Sequence, residues 1–399
     1  MPDRIDLFYF GDVGGFDRYN PFFLYKQKWA PEILFEIASA DKYQLTSSDI
    51  AARLGADQDD IVNLLSGMEN IDMVSNNQSR YSVSFPVILE KDISVIDELT
   101  SSIASRVSGM IMNYAQEIRN LASGIKCIGE FGYDRVLYHA IGCDILDGSA
   151  MEIFAGIGIF STSKPQHGHR NYILIGYEQN ETVSSFSEKL LCSRNCTGTA
   201  DIDFVSFGDC DGDRQDMFRF MKQVALKLGS VTANQELNLS YIHILEHNNN
   251  HLIRVCAGIV NKVLHSGNSV SSFSEEEIDA VKLLRDLKYV KIDDSGRVTI
   301  AVPLFDTDDE RAIGKISSYL TELIQSEVVT GFSNLKGKLQ NLSAVVHGVD
   351  EKEIANELWH QVFGYINEHL VRDGLFATPE TRTGEGRYFQ AIYVKGNLS

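Results

Sequence analysis

The sequence predicts a predominantly α-helical α+β protein in which one unit is used twice, the two copies being fused into an intramolecular pseudo-dimer. Three observations predict it. Separated stretches pair off in the same order along the chain: IDLFYFGD at 5–12 with IDFVSFGD at 202–209, Val74 with Val290, Arg80 with Arg297, Pro86 with Pro303, GIFST at 158–162 with GLFAT at 374–378, and Arg170 with Arg387. Pairs that keep their order at nearly constant separation mark an internal repeat. Each copy also has a long apolar stripe at helical spacing, Ile96, Leu99, Ile103, Val107, Ile111, Tyr114, Ile118 and Leu121 in the first and Ile313, Ile316, Leu320, Leu323, Val328, Phe332 and Leu335 in the second. A stripe of that length needs a partner, and its counterpart in the other copy supplies one near a pseudo-twofold axis. Lastly, each copy closes with a short alternating hairpin bounded by turn residues.

Taken in order, the first repeat covers residues 1–196. A strand and glycine turn, IDLFYFGDVGG, lead into a segment at 29–90 with three helices and a hairpin. Ile33, Leu34, Ile37 and Ala38 share one face of the first helix; the second starts at an N-cap, Thr46 or Ser47, turns Ile50, Ala51 and Leu54 inward and ends at Gly55. Ile61, Leu64, Leu65 and Met68 recur at helical spacing in the third, and Asn76 to Ser79 form the tip of a hairpin whose return strand alternates Tyr81, Val83 and Phe85. This order resembles the winged helix-turn-helix modules of bacterial regulators of the MarR and ArsR type. The resemblance spans about sixty residues and implies a DNA-binding transcriptional regulator. A long helix at 94–123, a helical stretch carrying Leu137, Tyr138 and His139, and a second hairpin at 158–177 complete the repeat. The second repeat, 197–399, has a strand at 202–208, a degenerate winged helix at 250–305, a long helix at 311–342, a helical stretch with Leu358, Trp359 and His360, and a second hairpin at 374–394. Its winged segment is about one helix shorter and starts on the acidic FSEEEI at 273–278, which marks it as a module kept for packing.

Length and composition set the bounds. The chain of 399 residues, 44% hydrophobic, is long enough for two or three domains with ordinary cores. Asp3 and Asp6 interrupt the N-terminus where a secretion signal requires basic and then apolar residues, and Asp144, Asp147 and Glu152 break the most apolar stretch, 141–160, so a cytoplasmic protein with no membrane contact is expected. Six cysteines without framework spacing fit reduced thiols. The net charge of −19 opposes DNA binding unless a local basic face supplies the phosphate contacts.

That requirement selects the candidate DNA-binding residues. The third helix, the usual reader of the major groove, offers Gln58 and Asn63, amides able to pair with adenine, but also Asp59 and Asp60, which repel phosphate. The second hairpins offer Lys164, His169 and Arg170 in one repeat and Arg382 and Arg387 in the other, with Arg80 on the wing; exposed hairpin tips also collect polar residues for no functional reason. Tyr138, His139, Trp359 and His360, aromatic and histidine pairs at matching places, are candidates for a ligand pocket, leaving room for a small-molecule or peptide effector, against the plain reading of packed core residues. His243, His247 and His251 share a helical spacing, but Asn248, Asn249 and Asn250 favour a turn there, so no metal is expected. The acidic loop at 209–213 lacks calcium-loop spacing. No nucleophile elbow, P-loop, zinc-helix motif or dinucleotide fingerprint occurs, so neither an enzyme nor a cofactor is expected. The expectation is a DNA-binding regulator acting on duplex DNA, as a monomeric pseudo-dimer or a homodimer. The alternative is a winged-helix protein interaction module that does not bind nucleic acid.

Overall fold

The computed structural model describes residues 3–187, 193–208, 239–265, 268–382 and 386–396, the side chains at 187, 193, 239–250 and 382 excepted. In chain order the first part runs β1 (Ile5–Asp12), α1 (Pro21–Tyr25), α2 (Ala30–Ser39), β2 (Leu45–Thr46), α3 (Ser47–Leu54), α4 (Gln58–Glu69), β3 (Val74–Asn77), β4 (Arg80–Val83) and β5 (Val87–Ile88). Next come α5 (Glu90–Asn113), α6 (Ala115–Ala122), α7 (Ile128–Phe131), α8 (Tyr133–Leu137), a π-helix (Tyr138–Ser149), α9 (Ala150–Gly156), β6 (Pro165–Gln166), β7 (Arg170–Glu178) and α10 (Glu181–Ser187). The remainder is β8 (Ser193–Gly198), β9 (Ile202–Gly208), α11 (Leu239–His265), α12 (Glu275–Asp286), β10 (Val290–Ile292), β11 (Val298–Ile300), β12 (Leu304–Phe305), α13 (Thr307–Phe332), α14 (Leu335–Lys338), α15 (Ser343–His347), α16 (Glu351–Arg372), β13 (Thr381–Arg382) and β14 (Gly386–Val394). The fold is α+β with helix in excess of strand. Among the described residues no helix is long and apolar enough to cross a membrane.

Two compact units divide the chain, and neither is one half of the sequence. The first is Met1–Val107, Met151–Lys189 and Ile324–Tyr365; the second is Ser108–Ala150, Leu190–Leu323 and Ile366–Ser399. Each therefore draws segments from both proposed repeats, and α5, α13 and α16 are divided between them.

In the first unit α2, α3 and α4 bury Ile33, Leu34, Ile37, Ile50, Ile61, Leu65 and Met68 against the small sheet β2-β4-β3. Local chemistry fixes the helix ends. Thr46 caps α3 and exchanges hydrogen bonds with Asp49, Gly55 ends it with φ 62°, and Asp57 caps α4 through the amide of Asp59. A two-residue turn at Gln78 and Ser79, both with positive φ, joins β3 to β4. The larger sheet has β7 at its centre, antiparallel to β1, parallel to β5 and in a hairpin with β6. The 90–107 part of α5 meets the 324–332 part of α13, where Ile103 fills the space above Gly331 and Arg106 pairs with Glu327.

The second unit has the corresponding arrangement: β14 is antiparallel to β9, parallel to β12 and in a hairpin with β13, and β8 extends the sheet beyond β9. Here α11 and α12 pack with the hairpin β10–β11 over a core that includes Ile259, Val260, Val281, Leu284, Tyr289 and Val298.

Three element boundaries differ from the pattern read in the sequence. The helix expected at 94–123 breaks at Tyr114 (φ −112°, ψ 20°), although Ile118 beyond the break stays buried; the apolar stripe continues across a one-residue interruption and so conceals it. The helix expected at 311–342 ends at Phe332, with Asn334 in the left-handed region at φ 55° and Leu335 still buried. The asparagine run at 248–250, expected to break a helix, lies inside α11. Each asparagine costs a helix only about 0.7 kcal/mol relative to alanine, less than the packing of the apolar residues at 252–260 returns.

Candidate functional site

The cations expected at exposed tips are largely held by the protein itself. Arg170, at the start of β7, is 8% exposed and closes the glycine loop after β1: Nε donates to the Val13 carbonyl at 2.6 Å, and Nη2 donates to the Gly15 carbonyl at 2.9 Å and to Asp17 at 2.8 Å. The glycines around it make room, since a Cβ at Gly14 or Gly168 would come within 2.7 or 2.3 Å of the guanidinium. Arg170 is thus not presented at the hairpin tip, because its donors fan onto the Val13 and Gly15 carbonyls, which also accept from Asn20, and onto Asp17. Its neighbour Lys164 pairs with Glu353 at 2.9 Å, and Arg80 donates to the Gln44 carbonyl. His169 is exposed with φ 60°, and Gln58, Asp59, Asp60 and Asn63 are exposed on α4 beside Val62, which is 41% exposed. In the second unit Arg387 pairs with Glu368 at 3.1 Å, while the side chain of Arg382 lies outside the described residues.

The four candidate pocket residues separate into the two units. In the first, Trp359 is fully buried among Phe154, Phe160, Phe332 and Phe363, and His360 stacks on Phe10 of β1 at 4.0 Å while its Nδ1 contacts the Asn356 carbonyl at 2.8 Å. In the second, Tyr138 meets Phe207, Phe376 and Phe389 edge-on, and burial together with Arg135 and Arg194 holds fully buried His139 well below the usual imidazole range. They do not line one pocket within either unit.

What the sequence did not single out is a buried polar arc beside each of these pairs. On α16 in the first unit, Glu353, Asn356, Glu357, His360 and Gln361 recur at helical spacing on one side, all buried, with Trp359 and Val362 on the other. Tyr177 of β7 donates to the Glu357 carboxylate, and Gln361 donates to both Tyr177 and Glu357 at 2.7 and 2.9 Å. The second unit sets a tyrosine of its central strand to the same use, for Tyr393 of β14 donates to Asp144 at 2.6 Å.

Asp144 lies on the π-helix, a twelve-residue run of a geometry that normally occurs as single turns and often at functional sites. One turn on, Asp147 accepts from the backbone amide of Arg194 at 3.0 Å; Ser149 bridges to Ser317 at 2.6 Å, and the Arg194 guanidinium lies 5.5 Å from the Tyr393 ring. Desolvation, partly offset by Arg194, pushes Asp144 up to about 6, and it pushes Asp147 up to about 8, where the Asp144 charge adds to the rise. A carboxyl pair with raised and separated proton affinities is a site feature a sequence cannot display. The only signal was the polar spacing itself, which read as an interruption of an apolar segment.

Among the described residues no group of three or more His, Cys, Asp or Glu side chains is placed to hold a metal ion; the side chains of His243 and His247 and the acidic loop at 209–213 lie outside them. His251 pairs with Glu276 at 2.7 Å. No family model matches the chain, no curated protein matches it, and no solved structure matches it.

Proposed function

We propose that the protein is a cytoplasmic, duplicated winged-helix protein whose winged modules dock a protein partner and do not engage the DNA backbone. The observation that carries this reading is the disposition of charge. Arg170, Lys164, Arg80 and Arg387 are engaged by carbonyls and carboxylates of the chain itself, while the exposed face of α4 begins with Asp59 and Asp60 and carries Val62. Phosphate binding draws its affinity from available cations, whereas a partly apolar helix face with few cations suits a protein surface. The duplication is supported by the like strand order around β7 and β14 and by capping boxes on both modules, Thr46 with Asp49 and Ser274 with Glu277. Among the described residues Cys127, Cys143, Cys196 and Cys256 form no disulfide, which suits a reducing compartment.

A second reading, duplex DNA binding, is favoured by the exposed amides of Gln58 and Asn63 on α4. One experiment separates the two. A photo-crosslinking residue at position 62 is expected to join a protein partner in cells, and fluorescence anisotropy with labelled duplex at about 50 and 200 mM salt is expected to show no saturable micromolar binding. Salt-sensitive duplex binding that is lost in Asn63→Ala, with crosslinks to DNA, establishes the second reading in place of the first.

A further inference from the structure

The surface formed by residues 16–29 in the first unit differs in charge from the chain around it. Between Asp12 and Glu32 stand one acid, Asp17, and three cations, Arg18, Lys26 and Lys28, in a protein of net charge −19. Asp17 is itself engaged by Arg170 at 2.8 Å. Local folding brings aromatic rings to the same surface. Asn20 caps α1 through the amide of Phe22 and Pro21 begins the helix, which buries Phe22 and Leu24 and leaves Phe23 39% exposed. Phe16, 37% exposed, meets Phe23 edge-on at 5.6 Å, and the Lys26 ammonium stands 4.5 Å over the Phe16 ring. Arg18 and Lys28 flank this group, two residues from Phe16 and from Lys26, so their Cα atoms lie within about 7 Å of it. Both are exposed. Arg18 lies 4.8 Å over the Tyr19 ring and donates to its hydroxyl at 2.7 Å, Lys28 lies 4.7 Å over the Trp29 ring, and neither pairs with a carboxylate among the described residues.

Exposed aromatic edges flanked by cations suit an occupant that is both apolar and anionic. A single-stranded nucleic acid stacks its bases on open ring faces, and here Lys26, Arg18 and Lys28 cover faces of Phe16, Tyr19 and Trp29. An anionic membrane is a plane extending past the screening length of about 8–10 Å, where it meets the acidic segment 32–90, with ten Asp and Glu against Lys42, Arg53 and Arg80. A short peptide confines its acids to the patch. We infer that the 16–29 surface docks a short acidic peptide segment bearing an aromatic side chain, which packs on the edges of Phe16 and Phe23 while its carboxylates meet Arg18 and Lys28. The inference involves no residue of α4 and does not rest on what the winged modules meet.

Fluorescence anisotropy of a labelled octapeptide, Glu-Glu-Phe-Glu-Glu-Phe-Glu-Glu, titrated with the full chain tests it. Saturable binding with Kd below about 100 μM is expected at about 50 mM salt, weakening at about 200 mM. The peptide with serine in place of both phenylalanines is expected to bind at least tenfold more weakly. The double variant Arg18→Glu/Lys28→Glu and the single variant Phe23→Ser, all at exposed positions, are each expected to weaken binding about tenfold, while Asp59→Asn on α4 stays within about twofold of wild type. No saturable binding by the wild-type chain overturns the proposal whatever the variants do. So does equal affinity in wild type and both variants, or tighter binding of an octathymidylate or of phosphatidylserine vesicles than of the peptide.

Discussion

Arg170 opens β7 two residues before Tyr172 and Arg387 lies one residue before Tyr388 of β14, and the chain uses the two differently. The first is buried in a cage of carbonyls from the loop 13–17, and the second, with a third of its side chain exposed, pairs with a carboxylate. An arginine near the start of a central strand therefore carries no fixed role. What surrounds the guanidinium decides whether its charge closes a loop or remains near solvent.

The comparison can be broken most directly by removing both charges. Arg170→Met is expected to lower unfolding free energy by about 2–3 kcal/mol in urea titration, since it removes a buried guanidinium's hydrogen bonds to the Val13 and Gly15 carbonyls and leaves Asn20 to hold them; Asp17, more than half exposed, adds little. Arg387→Met is expected to cost no more than about 1 kcal/mol, as partly exposed pairs do. Equal costs would mean that the two arginines are equivalent after all.

The tyrosine–carboxylate sites of the two units are sharpened by pH. Asp147 titrates near 8 when folded, above its ordinary value of about 4, so the folded state holds an extra proton between those limits. Stability is therefore expected to fall as pH rises through that window, with Asp144, near 6, contributing in the same direction. Asp147→Asn keeps the acceptor for the Arg194 amide and abolishes the charge; thermal melts should show it less pH-dependent than wild type and more stable at pH 9 by about 1–2 kcal/mol. An unchanged pH profile would show that Asp147 titrates normally.

The smallest difference expected is between the two capping boxes. Thr46→Ala and Ser274→Ala should each cost about 1 kcal/mol, because each removes the hydroxyl that accepts from the third helical amide, from Asp49 at 3.2 Å and from Glu277 at 3.4 Å, and keeps the backbone half of the box. A difference above about 1 kcal/mol would show that one module depends on its helix far more than the other.

Local pattern carried the short-range features. The period of Ile61, Leu64, Leu65 and Met68 corresponds to α4, Thr46 and Gly55 bound α3, and the matched stretches at 5–12 and 202–208 coincide with β1 and β9. These depend on periodicity, caps and turns, whose causes lie within a few residues of one another. Tertiary structure decided the rest. Arg170 meets Val13 across 157 residues, Tyr393 meets Asp144 across 249, and Gln361 meets Tyr177 across 184, none of which any local spacing encodes. It also decided that segments of both sequence halves build each compact unit, and that the polar residues of α16 face inward. The physical reason is that a side chain's charge, proton affinity and accessibility are set by the atoms that remove its water, and those atoms come from elsewhere in the chain.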